Sequence, residues 1–223
     1  MQILNGYPPS PTGVDVHDGH GTTAGTKSLS ATDAPSGGLR TTLARDIRRS
    51  IRGDGTTPLT TRGVIVQVLT SPELRLVIAF RLYTWLWRRF GGSLPYYLYT
   101  YLRGRIGCDI GLGAEIGPGL RVGHRADIVI GSMAVLGADV DVYNGVTIGT
   151  RRPPLNEMPT IGNRVVLCSG AKVLGSIKIG DDVVVAANAV VLEDVESGQT
   201  VAGVPARPVG ARTSRASSCE SEN

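Results

Sequence analysis

Lysine is nearly absent from this 223-residue chain: three lysines stand against twenty arginines, and the formal net charge is only +4. A surplus that small, spread along the whole sequence, excludes nucleic acid as the main partner. Cysteine is scarce too. Cys108, Cys168 and Cys219 are an odd, widely spaced trio, which excludes a disulfide framework and lacks metal-ligand spacing. Histidine is limited to His17, His20 and His124, too few for a metal site built across repeats, so no metal is expected. No run of 18 uncharged apolar residues occurs, so no membrane-spanning helix is expected. No basic start followed by an apolar run opens the sequence, and the expectation is a reduced, cytoplasmic protein. Glycine, by contrast, is abundant: 30 residues, about 13 % against a usual ~7 %. These glycines show no period of three, which excludes collagen.

The sequence divides into four parts. Residues 1–40 are rich in Gly, Pro, Ser, Thr and Asp without an apolar period, and read as a disordered or loosely packed arm. Residues 41–105 read as helical. Leu43, Ile47 and Ile51 recur at helical spacing, and Gly53-Asp54-Gly55 stops that first helix. Ser71 as N-cap, Pro72 and Glu73 open a second helix that runs through Leu74, Val77, Ile78, Leu82 and Trp85 to Gly91-Gly92. A third, Leu94–Arg103, carries Tyr96, Tyr97, Tyr99 and Tyr101. The Trp/Tyr stripe beside Arg88, Arg89, Arg103 and Arg105 fits membrane-surface contact or helix and subunit packing. Its short, arginine-interrupted apolar face favours packing. Residues 197–223 form an exit segment and a frayed tail.

Residues 106–196 hold the strongest signal. Ile110, Ile116, Val122, Ile130, Leu136, Val142, Ile148, Ile161, Leu167, Val173, Ile179, Val185 and Val191 recur with a six-residue period. Glycine often follows, and a small or β-branched residue fills the fifth place: Ala114, Ala126, Ala134, Val140, Val146, Val165, Ala171, Val183, Ala189. This is the signature of a hexapeptide β-helix, with three short strands to a triangular coil. The aliphatic fills the coil centre, and glycine is expected to relieve the turn. The period breaks twice, at residues 123–127 and at a loop spanning 150–160, TRRPPLNEMPT. A solenoid expels insertions at its corners, where binding features gather.

His124 lies in the first break, the only histidine outside the arm. Imidazole titrates near neutrality, which suits a general base. Asp109 stands fifteen residues earlier, almost one coil below, where a carboxylate would fix the tautomer and stabilise the imidazolium. Gly111-x-Gly113 and Gly117-x-Gly119 fall inside the six-residue period with no βαβ unit around them, so neither is a dinucleotide loop. Cys108 and Cys168 occupy coil positions and read as small packing residues.

RVGHRADIVIGSMAVLGADVDVYNGVTIG, PTIGNRVVLCSGAKVLGSIKIGDDVVVAANAVVLEDV and AGVPARPVG, with SPELRLVIAFRLYTWLW before them, resemble the serine acetyltransferase branch of the hexapeptide-repeat acyltransferases. The resemblance covers roughly residues 43–210. It implies a mainly β fold, a left-handed parallel β-helix preceded by helices, and a homotrimer with acetyl-CoA between adjacent subunits. It places His124 on the branch's general base and Asp109 on its dyad aspartate. For the cofactor it implies Gly149 and Thr150 at the thiol end, Ser169 and Ala187 at pantetheine-holding corners, and Ala202-Gly203 on the covering exit strand. Lys178 and Arg207 are candidates for the CoA phosphates by charge and position. Asn144 falls on a polar position of the acceptor site.

Two departures bear on the acceptor. Gly123 precedes His124 where the branch carries aspartate, and Glu157-Met158 replace its Arg-His pair for the serine carboxylate. Arg151 and Arg152 of the same loop are able to grip a carboxylate bidentately. The expected activity is transfer of acetyl from acetyl-CoA to the hydroxyl of L-serine or a serine-like amino acid. Alternatives are a sugar, polysaccharide or secondary-metabolite hydroxyl, or a non-catalytic β-helix scaffold.

Overall fold

A computed structural model describes residues 38–51, 60–91, 99, 101, 107–152 and 157–210. The arm before residue 38 and the tail after 210 lie outside the described residues. So does the Leu94–Arg103 helix, apart from Tyr99 and Tyr101, both helical.

Among the described residues three continuous helices come first: α1 (Leu39–Ile51), α2 (Thr61–Thr70) and α3 (Pro72–Phe90). The start of α3 follows its sequence signal, with the Leu74 N–H donating to the Ser71 hydroxyl at 3.2 Å. Helix α2 falls within the region read as helical, though no helix start is named there in the sequence. It is started by Thr60, whose hydroxyl accepts from the Gly63 N–H. Helix α1 departs from expectation in the face it buries. Thr42 and Asp46 are its buried residues, while Leu43, Ile47 and Ile51 are only half-buried.

Fifteen strands follow: β1 (Cys108–Ile110), β2 (Glu115–Ile116), β3 (Arg121–Gly123), β4 (Ile128–Ile130), β5 (Val135–Leu136), β6 (Asp141–Tyr143), β7 (Thr147–Gly149), β8 (Thr160–Ile161), β9 (Val166–Leu167), β10 (Lys172–Leu174), β11 (Lys178–Ile179), β12 (Val184–Val185), β13 (Val190–Val191), β14 (Thr200–Gly203) and β15 (Ala206–Pro208). They form three walls of a parallel β-helix. Wall A stacks β1-β4-β7-β10-β13, wall B stacks β2-β5-β8-β11, and wall C stacks β3-β6-β9-β12-β14. The winding continues through β14, past the exit expected near Ser197, because Val201 pairs in register with Val185 and is buried like it. Only then does the chain turn back, antiparallel, as β15.

All thirteen period-six aliphatics are buried. Eight of the nine small residues are buried too. The exception is Ala126, which is exposed. The extra residues at 123–127 move the repeat frame, so Ile128, fully buried two places before Ile130, takes the inward position instead. The glycines after the aliphatics also differ from expectation: none of Gly111, Gly117, Gly137, Gly162 or Gly180 has a positive φ. They are there for close approach between coils. A Cβ on Gly111 would stand 2.5 Å from the Ser132 Cα, and one on Gly180 2.5 Å from the Ser197 nitrogen. The left-handed corners are instead taken by His124, Asp127, Asp139, Arg164, Asp182 and Asn188 among others.

Among the described residues no coil lies beneath the first, so its outward backbone groups need other partners. The helices supply them. Asp46 Oδ1 accepts from the Gly119 and Leu120 N–H groups at 2.6 and 2.9 Å. Arg81 donates to the Ile116 and Gly117 carbonyls at 2.5 and 2.6 Å and pairs with Asp46 at 2.8 Å. The Tyr99 hydroxyl donates to the Ile110 carbonyl at 2.7 Å. This duty explains why α1 turns Asp46 rather than its aliphatic stripe toward the β-helix.

Candidate active site

His124 sits in the corner between β3 and β4, where wall C passes into wall A, with a left-handed φ of 53° and an exposed side chain. That corner is closed from below, the Asp127 N–H donating to the Gly107 carbonyl at 3.0 Å. The Cys108 thiol donates to the Arg125 carbonyl. Asp109 faces outward from β1, between the inward Cys108 and Ile110, in register with Val129 of β4. Asp109 thus lies on the first strand of wall A, and His124 in the corner that leads into the second. Among the described residues no hydrogen bond joins them, and catalytic hydrogen bonds are often long before substrate arrives.

The same corner repeats up the β-helix. Asn144 stands in the next turn, Ser169 in the one after, Ala187 in the one after that, and Gly203 closes the series at the end of β14. Backbone bonds stitch this edge: Gly145 N–H to Ala126 C=O and Gly170 N–H to Asn144 C=O, both 2.8 Å, then Asn188 N–H to Ser169 C=O, 2.9 Å. The Ser169 hydroxyl donates to Asn144 Oδ1 at 2.8 Å. His124 therefore heads a straight edge of small and polar corner residues.

Gly149, Thr150, Arg151 and Arg152 stand on the opposite edge of wall A, where it passes into wall B, while Ala202 on β14 and Arg207 on β15 pair with each other in the sheet of wall C. Gly149 ends β7, and Thr150, Arg151 and Arg152 begin the long loop, the Arg152 N–H donating to the Thr150 hydroxyl at 3.3 Å. Arg151 and Arg152 are exposed. Glu157 is exposed, Met158 packs on the core, and a Cβ on Gly131 would stand 2.6 Å from its sulfur. Lys178 is exposed on β11 of wall B. Arg207, on β15, is paired with Glu193 at 3.1 Å. Within one protomer, then, the structure separates His124 from Arg151 and Arg152 by the full width of wall A.

Two residues at the His124 corner carry no site signal in the sequence. Tyr143 lies in register with Gly123 one coil up, and its hydroxyl accepts from Arg121 at 3.0 Å. Arg121 also pairs with Asp141 at 3.0 Å, a contact that holds its guanidinium charged beyond the usual range. Glu73, in the first turn of α3, lines a cleft of about 370 Å³ together with His124, Arg125 and Asp127. No local pattern announces either one, because Tyr143 comes from the next coil and Glu73 from a helix. Cys108 is buried, and burial pushes its thiol pKa up, away from a nucleophile's needs.

A parallel β-helix of six-residue repeats, with a corner histidine and a long loop at the other edge of the same wall, defines a hexapeptide-repeat transferase. Residues 158–193 match the bacterial transferase hexapeptide (six repeats) family. The chain is 37 % identical to the serine acetyltransferase of Mycobacterium tuberculosis over 173 residues, 77 % of this chain and 74 % of that protein. It superposes on Brucella abortus serine acetyltransferase in complex with coenzyme A with a TM-score of 0.69 and 32 % identity, covering 78 % of this chain and 68 % of that one. Against Neisseria gonorrhoeae serine acetyltransferase in complex with serine the TM-score is 0.68 at 29 % identity, over 77 % and 69 % of the two chains. The chain belongs to the serine acetyltransferase family.

Proposed function

We propose that this protein transfers the acetyl group of acetyl-CoA to the hydroxyl of L-serine, at a site shared between protomers of a homotrimer. The observation that carries the shared site is the division of the candidates between two edges of wall A. When three such prisms pack around an axis, the His124 edge of one protomer and the 150–160 loop of the next bound a single groove. Relatives bound to coenzyme A and to serine supply the two substrates. The enzyme would work in the cytoplasm, where acetyl-CoA is at hand.

His124 takes the hydroxyl proton as the serine oxygen bonds to the thioester carbonyl carbon. The tetrahedral intermediate collapses with loss of CoA thiolate, which recovers the proton from the imidazolium. Asp109 orients the ring and stabilises its cation. A backbone N–H at the thiol end of the groove, beside Gly149 and Thr150, stabilises the oxyanion. Ser169, Ala187, Ala202 and Gly203 offer a narrow edge for the pantetheine arm, with Lys178 and Arg207 toward the phosphates. Asn144 borders the acceptor, and Arg151 and Arg152 meet its carboxylate from the neighbouring loop, with Glu157 and Met158 shaping the far side.

The test is CoA release from acetyl-CoA over a panel of hydroxyl acceptors, with the assembly measured by light scattering. A trimer that turns over L-serine fastest supports the reading. Preference for a sugar or an uncharged alcohol, or an active monomer, overturns it.

A further inference from the structure

Free serine carries its ammonium nitrogen and its hydroxyl on adjacent carbons, so the group that holds the ammonium must stand beside the base. We propose that Glu73, at the start of α3, is that group and selects amino-bearing acceptors; this rests on the serine reading above. Glu73 and His124 line the same open cleft of about 370 Å³. The carboxylate is set in place, because Glu73 Oε2 accepts from the Ser71 hydroxyl at 3.1 Å while that hydroxyl caps Leu74. Glu73 is half-buried, where an ion pair with an ammonium is stronger than on open surface. Pro72 brings no backbone N–H to the cleft, so the helix start does not compete for the carboxylate through that residue. Arg125 and Asp127 line the cleft together with Glu73 and His124. Arg125 makes this a mixed-charge wall rather than an acidic patch.

The experiment compares L-serine with 3-hydroxypropanoate, which keeps the hydroxyl and the carboxylate but lacks the ammonium. A site that pairs a substrate group rejects the analogue lacking it, since its own polar group is left unpaired. In the wild type, L-serine should be strongly preferred. Glu73→Gln keeps the size and the oxygen facing Ser71 and loses only the charge. It should raise KM for L-serine roughly tenfold or more, leave KM for acetyl-CoA unchanged, and shrink the preference over 3-hydroxypropanoate. An unchanged preference in Glu73→Gln overturns the proposal, as does a shrunken preference in Asp127→Asn alone. A wild-type protein that does not acetylate L-serine fails the serine reading itself, a result distinct from either of these.

Discussion

The ring of Tyr143 fills the space in which a side chain at residue 123 would stand. A Cβ built on Gly123 would lie 2.8 Å from Cδ1 and 2.9 Å from Cε1 of that ring. The ring is held there by Arg121, whose guanidinium carbon lies 5.7 Å from its centroid and whose own partner is Asp141. The glycine before His124 is thus a packing requirement of the next coil, and no acidic residue fits at 123 while Tyr143 stays in place.

Gly123→Ala should therefore destabilise the protein by ~1–3 kcal/mol, the usual range for forcing extra volume into a packed site. In a Tyr143→Ala background the same change should cost much less. Denaturant unfolding of the two single variants and the double variant measures the coupling, and strict additivity would show that the ring does not set the glycine.

Asp46→Ala leaves Arg81 buried without its carboxylate and strips the Gly119 and Leu120 N–H groups of their acceptor. Removing one partner of a buried pair typically costs ~3–5 kcal/mol. We expect a loss of that order in urea unfolding. A loss under ~1 kcal/mol, the scale of a surface pair, would mean that α1 and α3 do not anchor the first coil through these residues.

Arg151→Ala and Arg152→Ala should raise KM for L-serine about tenfold or more while barely changing KM for acetyl-CoA, since a lost arginine–carboxylate contact in a closed cleft costs ~2–5 kcal/mol. Glu157→Ala removes a negative charge from the same loop and should lower KM for L-serine. Steady-state kinetics of the three variants checks this. Unchanged serine constants in all three would remove the loop from acceptor recognition.

The solenoid was legible because its constraint is local and repeated. Each aliphatic from Ile110 to Val191 faces the axis by position in a six-residue frame, and the structure buries every one. Where the frame slips, the reading slipped too, exchanging Ala126 for Ile128. Asp46 went unread because helical periodicity reports where oil is, and what the first coil needed from α1 was an acceptor for two amides. Its arginine partner lies 35 residues away on another helix. For the candidate site, His124 stands out by the break in the period and Asp109 by its place fifteen residues earlier, on the first strand of wall A. Glu73 and Tyr143 were not, since one reaches the corner from a helix and the other from the coil above.

The most direct test is the turnover of His124→Ala with acetyl-CoA and L-serine, set beside its affinity for CoA by calorimetric titration. The proposed CoA edge at Ser169, Ala187 and Gly203 does not include the imidazole, so CoA should bind almost as it does to the wild type. Turnover should fall ~10²–10⁴-fold, the usual cost of losing a positioned base. A variant that retains near-native turnover, or one that loses CoA binding along with activity, would contradict the assignment of His124 as the base.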